Sequence, residues 1–253
     1  MRRVALLFFS VIACHAASSP VASAAAEAKA ATAPPDAAAL FSEALDLERS
    51  GNDLGAKAKL DAALRLAPSF ALASLERADV LLALGHAGDA VLDARRAAKA
   101  LPHNPRAQEV LGQTLEDAGD LDGALAAYRQ SVALRDDPKI RRRIAAIDTR
   151  QGRLALAARE WEALRDERPG DVSAHLELSA LYQKLDRPAS AKLEFQTLVA
   201  LAPKNALFRQ QFAKFLDAQG EWREARREWA RAEALSPSIK PSRKLRPLLP
   251  SRR

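Results

Sequence analysis

A proline-ended unit of about 34 residues repeats along this chain, and its period constrains the fold more than any single residue does. Five of the unit ends lie 34, 67, 34 and 34 residues apart, and 67 is one unit of 34 plus one of 33. These ends are Pro68, Pro102, Pro169, Pro203 and Pro237. The third unit ends instead in Asp136-Asp137-Pro138. Six such units predict a stack of similar small structures.

Inside each unit, a turn residue stands near the middle and an alanine follows five residues later. The turn residues are Gly51, Gly85, Gly119, Gly152, Asp186 and Gly220. The alanines are Ala56, Ala90, Ala124, Ala157, Ala191 and Ala225. Glycine adopts the positive φ that ends a helix, proline cannot continue a helix, and alanine lets two helices approach closely. The pattern therefore predicts a helix, a tight turn and a second helix in every unit.

A bulky residue follows the alanine by four positions in five of the units. These residues are Leu60, Tyr128, Trp161, Phe195 and Trp229. With these motifs, the chain resembles the tetratricopeptide repeat family over roughly residues 37–237, most closely in second helices such as GDLDGALAAYRQSVAL. The tryptophan typical of the family's first helices is replaced by Leu40, Ser74, Gln108, Arg141, His175 and Arg209. The resemblance implies an all-α fold, a right-handed superhelical solenoid of about six helix-turn-helix repeats.

The chain divides by composition into four segments. Residues 1–24 have the form of a secretory signal, 25–36 form an Ala/Pro-rich linker, 37–237 form the solenoid, and 238–253 form a basic Pro-rich tail. The six repeats are expected near residues 37–70, 71–104, 105–137, 138–171, 172–205 and 206–237.

The first segment predicts export to the envelope of a bacterium. A basic start at Arg2 and Arg3 precedes the short apolar stretch Val4–Ala13, and an A-x-A cleavage pattern ends at Ala24. Cleavage after Ala24 would give a soluble periplasmic protein. The single cysteine of the chain, Cys14, follows a sequence that resembles a relaxed lipobox, so a lipid-anchored product is the second possibility.

The net charge of +7 lies at the two ends of the chain. Six of these charges belong to the tail residues Lys240, Arg243, Lys244, Arg246, Arg252 and Arg253. Arg2 and Arg3 add two, and the remaining 31 basic residues face 32 acidic ones. The tail is therefore interpreted either as a solubilising segment or as an arm that binds anionic lipid or acidic glycan. Nucleic acid is not an expected partner, because the chain lacks aromatic and basic pairs for stacking on bases.

The family resemblance also implies a concave groove, lined by the first helices, that binds peptide segments. The corresponding residues are Phe41, Leu45, Leu75, Asp79, Glu109, Gln113, Glu116, Arg142, Arg143, Ala146, Thr149, Leu176, Ala180, Gln183, Gln210, Lys214 and Asp217. Acidic residues of the third unit precede a basic run in the fourth. This arrangement indicates either an amphoteric groove that selects a partner by charge or neighbouring helices that neutralise one another.

The sequence contains no catalytic, metal-binding or cofactor-binding motif. Its four histidines form no ligand pair at helical spacing, and there is no phosphate-binding glycine loop or nucleophile motif. His175 is expected to pack in the core, and Trp222 and Trp229 are expected to point inward. The sequence thus favours a non-catalytic scaffold for envelope-assembly proteins, with polyanion or lipid binding by the tail as the alternative.

Overall fold

The computed structural model describes residues 33–240, in which twelve α-helices and no strands occur. The secretory segment, Cys14, most of the linker and the tail residues Arg243, Lys244, Arg246, Arg252 and Arg253 lie outside the described residues. The helices are α1 (Pro35–Arg49), α2 (Asp53–Leu66), α3 (Ala71–Ala83), α4 (Ala87–Ala100), α5 (Pro105–Asp117), α6 (Leu121–Leu134), α7 (Pro138–Arg150), α8 (Leu154–Glu167), α9 (Val172–Lys184), α10 (Pro188–Leu201), α11 (Ala206–Ala218) and α12 (Trp222–Leu235). This confirms the expected all-α fold built from repeated helix pairs.

The turn inside each helix pair has a residue with positive φ. These residues are Gly51, Gly85, Gly119, Gly152 and Gly220, with φ between 73° and 86°, and Asp186, with φ of 53°. They are the six positions at which the sequence repeats a turn residue. Between residues 33 and 240, Asp186 is the one non-glycine residue in this region. Aspartate occupies it because its short polar side chain tolerates the left-handed conformation better than most residues do.

Several helices begin at a side chain that caps their free backbone N–H groups. Asn52 accepts a hydrogen bond from Gly55 N at the start of α2, and Asn205 accepts from Leu207 N and Phe208 N in α11. Asp171 accepts from Ser173 N and thereby fixes the start of α9. Such caps each contribute about 1 kcal/mol.

The described chain divides after Val110 into two compact units. In the first unit, the helices from α1 to α4 pack in sequence around a core that includes Leu60 and Phe70. In the second unit, the helices from α7 to α12 pack in sequence around Trp161, Phe195 and Trp229. The six repeated alanines are all fully buried, at 0% exposure, so the close helix contacts that the sequence predicts are present in both units.

Trp229 is buried as expected, but Trp222 is 48% exposed and the expectation that it points inward is wrong. Trp222 lies two residues after the turn glycine, and this register position is not buried in any other repeat. Its place in the repeat, rather than the size of its side chain, decides its exposure.

Polar contacts replace the missing tryptophan of the first helix in three successive repeats. Each basic side chain binds a glutamate nineteen residues later on the second helix: Arg141 with Glu160 at 2.8 Å, His175 with Glu194 at 2.5 Å, and Arg209 with Glu228 at 2.9 Å. We call this arrangement the cation clamp. It joins the two helices of a repeat at the position where the resemblance predicts a tryptophan.

No helix between residues 33 and 240 combines the length and the apolar character needed to cross a membrane.

Candidate functional site

A pocket of 450 Å³ lies between the first helices α9 and α11 of the second unit. Helix α9 contributes Leu176, Glu177, Ala180 and Gln183, and α11 contributes Lys214 and Ala218. Four of these residues, Leu176, Ala180, Gln183 and Lys214, are groove positions in the sequence analysis. The structure therefore brings together residues that are about one repeat apart in the chain.

Aromatic rings from two helices form the floor of this pocket. Phe195 of α10 and Phe215 of α11 line it, and both side chains are buried. Their ring centroids lie 5.2 Å apart, and Phe195 also stacks on Phe212 at 5.8 Å. Because Ala180 and Ala218 on the two walls are small, space remains above these rings. The result is a rigid apolar floor between solvent-exposed walls.

The pocket has one basic and one acidic side chain on opposite walls. Lys214 and Glu177 are both exposed, and neither forms an ion pair or hydrogen bond within residues 33–240. Gln183 also lines the pocket, and its Nε2 donates a hydrogen bond to the Ser179 carbonyl oxygen at 3.0 Å. Lys214 and Glu177 are thus available to pair with charges on a bound molecule.

The basic groove residues at the start of α7 are paired with acids of the same chain. Arg142 Nη2 lies 2.7 Å from Asp171 Oδ2, at the cap of α9, and Arg143 Nη1 lies 3.1 Å from Glu116 Oε2. Partial burial favours the neutral form of Asp171, but hydrogen bonds from Arg142 and the Ser173 amide outweigh this effect and lower its pKa. These contacts match the interpretation in which neighbouring helices neutralise one another.

Glu116 is the centre of this network. Its carboxylate also accepts hydrogen bonds from Tyr128 Oη at 2.9 Å and from Arg150 Nη2 at 2.8 Å. Burial is the main cause that raises the pKa of Tyr128 above its ordinary value. The negative charge of Glu116 raises this pKa further, and the positive charge of Arg143 opposes both effects. A partner would have to displace these contacts to use Glu116.

The remaining groove candidates of the second unit have varied surroundings. Ala146 is exposed, whereas Gln113, Thr149, Gln210 and Asp217 are partly buried. Thr149 Oγ1 donates a hydrogen bond to the Ala145 carbonyl oxygen at 2.8 Å within its own helix. Of this group, Ala146 has the most accessible side chain.

In the first unit, the apolar groove candidates take part in packing. Leu75 is 1% exposed and cannot present its side chain to a partner. Phe41 and Leu45 are partly buried, and the Phe41 ring lies 5.1 Å from that of Phe70. Glu109 is partly buried as well.

An acidic group in the first unit was not singled out from the sequence. Carboxylate oxygens of Glu48, Glu76 and Asp79 lie within 4.8 Å of one another, and Arg106 Nη2 binds Asp79 at 2.5 Å and Glu76 at 3.1 Å. Burial, followed by the neighbouring carboxylates, raises the pKa of Glu48. Burial raises the pKa of Glu76 as well. The positive charge of Arg106 opposes this rise, and the negative charge of Asp79 adds to it. The Arg106 guanidinium already supplies positive charge to this group.

Two residues of this pocket, Glu177 and Phe215, were not predicted from the sequence. Glu177 follows the groove candidate Leu176 directly, and Phe212 and Phe215 lie on both sides of Lys214. A search of each first helix for side chains that flank the expected groove column would have found them.

Comparison with known proteins identifies the repeat independently. A family model described as "Tetratricopeptide repeat" matches residues 41–105 and 75–139. The Drosophila melanogaster protein named tetratricopeptide repeat protein 36 homolog is 32% identical over 112 residues, which are 40% of this chain and 57% of that protein. The chain spans about half the length of the curated relatives it matches.

Solved structures share this fold. The crystal structure of MamA protein has a TM-score of 0.61 at 16% identity, covering 68% of this chain and 94% of MamA. YrrB, described as a TPR protein with an unusual peptide-binding site, has a TM-score of 0.58 at 11% identity, covering 70% and 92%. At these identities, the likeness is one of fold.

Proposed function

Since this chain belongs to the tetratricopeptide repeat family, we propose that it is a non-catalytic scaffold that binds a segment of another protein between α9 and α11. The pocket of 450 Å³ carries this proposal, because it combines a buried aromatic floor with exposed walls and two charges without partners in the described chain. Peptide-binding sites commonly combine an apolar pocket with a few polar groups at its rim.

The likeness to YrrB supports this assignment in part. That protein is described as having a peptide-binding site, and it shares the fold of this chain over 70% of the length. The repeated helix pairs also suit a binding role, because they hold the walls of the pocket on rigid elements rather than on loops.

The sequence of the first 24 residues supports a location in the bacterial envelope. The protein would be periplasmic, either soluble after cleavage at Ala24 or lipid-anchored through Cys14. Components of envelope assembly are the partners that such a scaffold would hold together.

A second candidate function rests on the six basic residues from Lys240 onward. In this alternative, the tail binds anionic lipid or acidic glycan and the repeats act as a spacer. Removal of residues 240–253 would then abolish binding, whereas a groove-binding scaffold would keep its partner.

Site-specific photo-crosslinking in the native cell tests the groove. A benzophenone amino acid at Ala180, in the pocket, is expected to capture one defined protein at a defined segment. The same group at Ala126, an exposed position on the second helix α6, is the matched control and should not capture it. Equal capture from both positions, or capture from Ala126 alone, would exclude the pocket as the binding surface.

A further inference from the structure

We infer that the pocket between α9 and α11 selects a segment in which an apolar side chain lies between an acidic and a basic residue. In this arrangement, Lys214 pairs with the acidic residue, Glu177 pairs with the basic residue, and the apolar side chain rests on Phe195 and Phe215. The inference rests on the proposed function, because it names the chemistry of the partner at that site.

The space above the floor fits a single large apolar side chain. Ala180 and Ala218 have small side chains, so neither helix fills the space between them. The buried rings of Phe195 and Phe215 lie beneath this space. The rings themselves are nearly covered, so a leucine or an aromatic side chain in this space would mainly remove the exposed apolar lining around them from water, which includes Leu176, Ala180 and Ala218. A wholly polar segment would leave this surface wet.

Neither charge recurs at the corresponding position of the other wall of the pocket. Counting one repeat of 34 residues, the position of Lys214 corresponds to Ala180, and the position of Glu177 corresponds to Gln211. Each charge therefore faces a neutral residue at the same level of the other wall. Since Ala180 is three residues beyond Glu177, Lys214 and Glu177 differ in height by about one helical turn.

Three other charged groove candidates of the second unit, Arg142, Arg143 and Glu116, form ion pairs within the chain. Arg142 pairs with Asp171, and Arg143 pairs with Glu116. Lys214 and Glu177 have no such partners between residues 33 and 240. A bound segment with two like charges would attract one of these side chains and repel the other, so a mixed pair is favoured.

Four synthetic peptides test this inference against the full-length chain. Each 13-residue peptide consists of alanine and glutamine around a central leucine, and the positions three residues before and after the leucine carry Glu and Lys, Lys and Glu, Glu and Glu, or Lys and Lys. One of the two mixed peptides is expected to bind about fivefold more tightly than either like-charged peptide, as measured by fluorescence anisotropy.

Charge reversals on the protein should change this ranking in a defined way. Lys214→Glu makes the pocket doubly acidic, so the Lys and Lys peptide should become the tightest ligand. Glu177→Lys makes it doubly basic and should favour the Glu and Glu peptide. Lys204→Glu, an equal charge change at an exposed residue in a turn, is the matched control and should preserve the wild-type ranking.

Two results would overturn the inference while leaving the proposed function intact. In the first, all four peptides bind equally and Ala180→Trp abolishes their binding, so the pocket is used without charge selection. In the second, the Ala180→Trp variant binds every peptide as tightly as the wild type does, while crosslinking from Ala180 still captures a partner. The peptides would then bind outside the pocket, and their charges would say nothing about its partner. If crosslinking from Ala180 fails as well, the proposed function falls with the inference.

Discussion

Replacement of Glu194 by alanine is expected to lower the free energy of unfolding by about 3–5 kcal/mol. The Glu194 carboxylate is 3% exposed and lies at the centre of a buried cluster. His175 Nδ1 approaches one of its oxygens to 2.5 Å, and Arg165 Nη1 approaches the other to 2.8 Å. Without Glu194, His175 loses its carboxylate partner in a site from which water is largely excluded, and Arg165 keeps its contact with Asp166.

The His175 ring lies between two oxygen atoms. Its Nδ1 faces the Glu194 carboxylate, and its Nε2 lies 2.9 Å from the Pro169 carbonyl oxygen. Both ring nitrogens therefore lie at hydrogen-bonding distance from an oxygen atom. In the next repeat, Arg209 binds Glu228 and the Pro203 carbonyl oxygen in the same way. His175 therefore takes the place of an arginine in the cation clamp.

This equivalence provides a control for the Glu194 experiment. His175→Arg should retain stability within about 1 kcal/mol, because the repeats on both sides use arginine at this position. Glu43→Ala removes an ion pair with Lys59 in which both side chains are about half exposed, and should cost less than about 1 kcal/mol. Chemical denaturation followed by circular dichroism measures all three variants. Equal effects of Glu194→Ala and Glu43→Ala would contradict the buried clamp.

Gly112→Ala is expected to destabilise the protein by about 1–3 kcal/mol, although alanine is the better helix former. A Cβ atom at Gly112 would lie 2.4 Å from Cδ1 and 2.5 Å from Cε1 of Tyr128. The Tyr128 ring cannot withdraw easily, because it is fully buried and its hydroxyl is bonded to Glu116. Helices α5 and α6 would have to separate to admit the methyl group.

Gly88→Ala is the matched control for this substitution. Gly88 also lies in a helix, without positive φ, and no atom lies within 4 Å of the Cβ that alanine would add. The control is expected to be neutral or to gain up to about 1 kcal/mol. Thermal unfolding of the two variants should therefore shift in opposite directions or differ by several degrees. A gain in stability from Gly112→Ala would show that the contact between α5 and α6 is looser than described.

The repeat made the helices and their turns predictable from sequence. Each repeat restates the same local rule, so a turn residue such as Asp186 can be recognised by its position even though it is not glycine. Burial of the repeated alanines follows in the same way, because every repeat uses them at the crossing of two helices. The exposure of Trp222 could not be predicted from residue type alone, because its position in the repeat, and not its apolar character, determines whether it is buried.

Which groove side chains are left to contact a partner could not be predicted from the sequence, because this depends on contacts between different repeats. Arg142 reaches Asp171, 29 residues away, whereas Lys214 finds no acid within the described chain. Leu75 stands in the expected groove column but is covered by neighbouring side chains. The pairs of the cation clamp could have been found from the sequence, because all three share a spacing of nineteen residues. Their burial could not, because it depends on how the helices pack.

The affinity of the captured partner segment for three forms of the protein shows whether the pocket between α9 and α11 is the binding site. Ala180→Trp fills the pocket above Phe195 from an exposed position, and Ala126→Trp adds the same side chain to an exposed position outside it. Titration calorimetry should show binding weakened about 30-fold or more by Ala180→Trp and unchanged by Ala126→Trp. Wild-type affinity in Ala180→Trp would contradict the assignment of this pocket as the binding site.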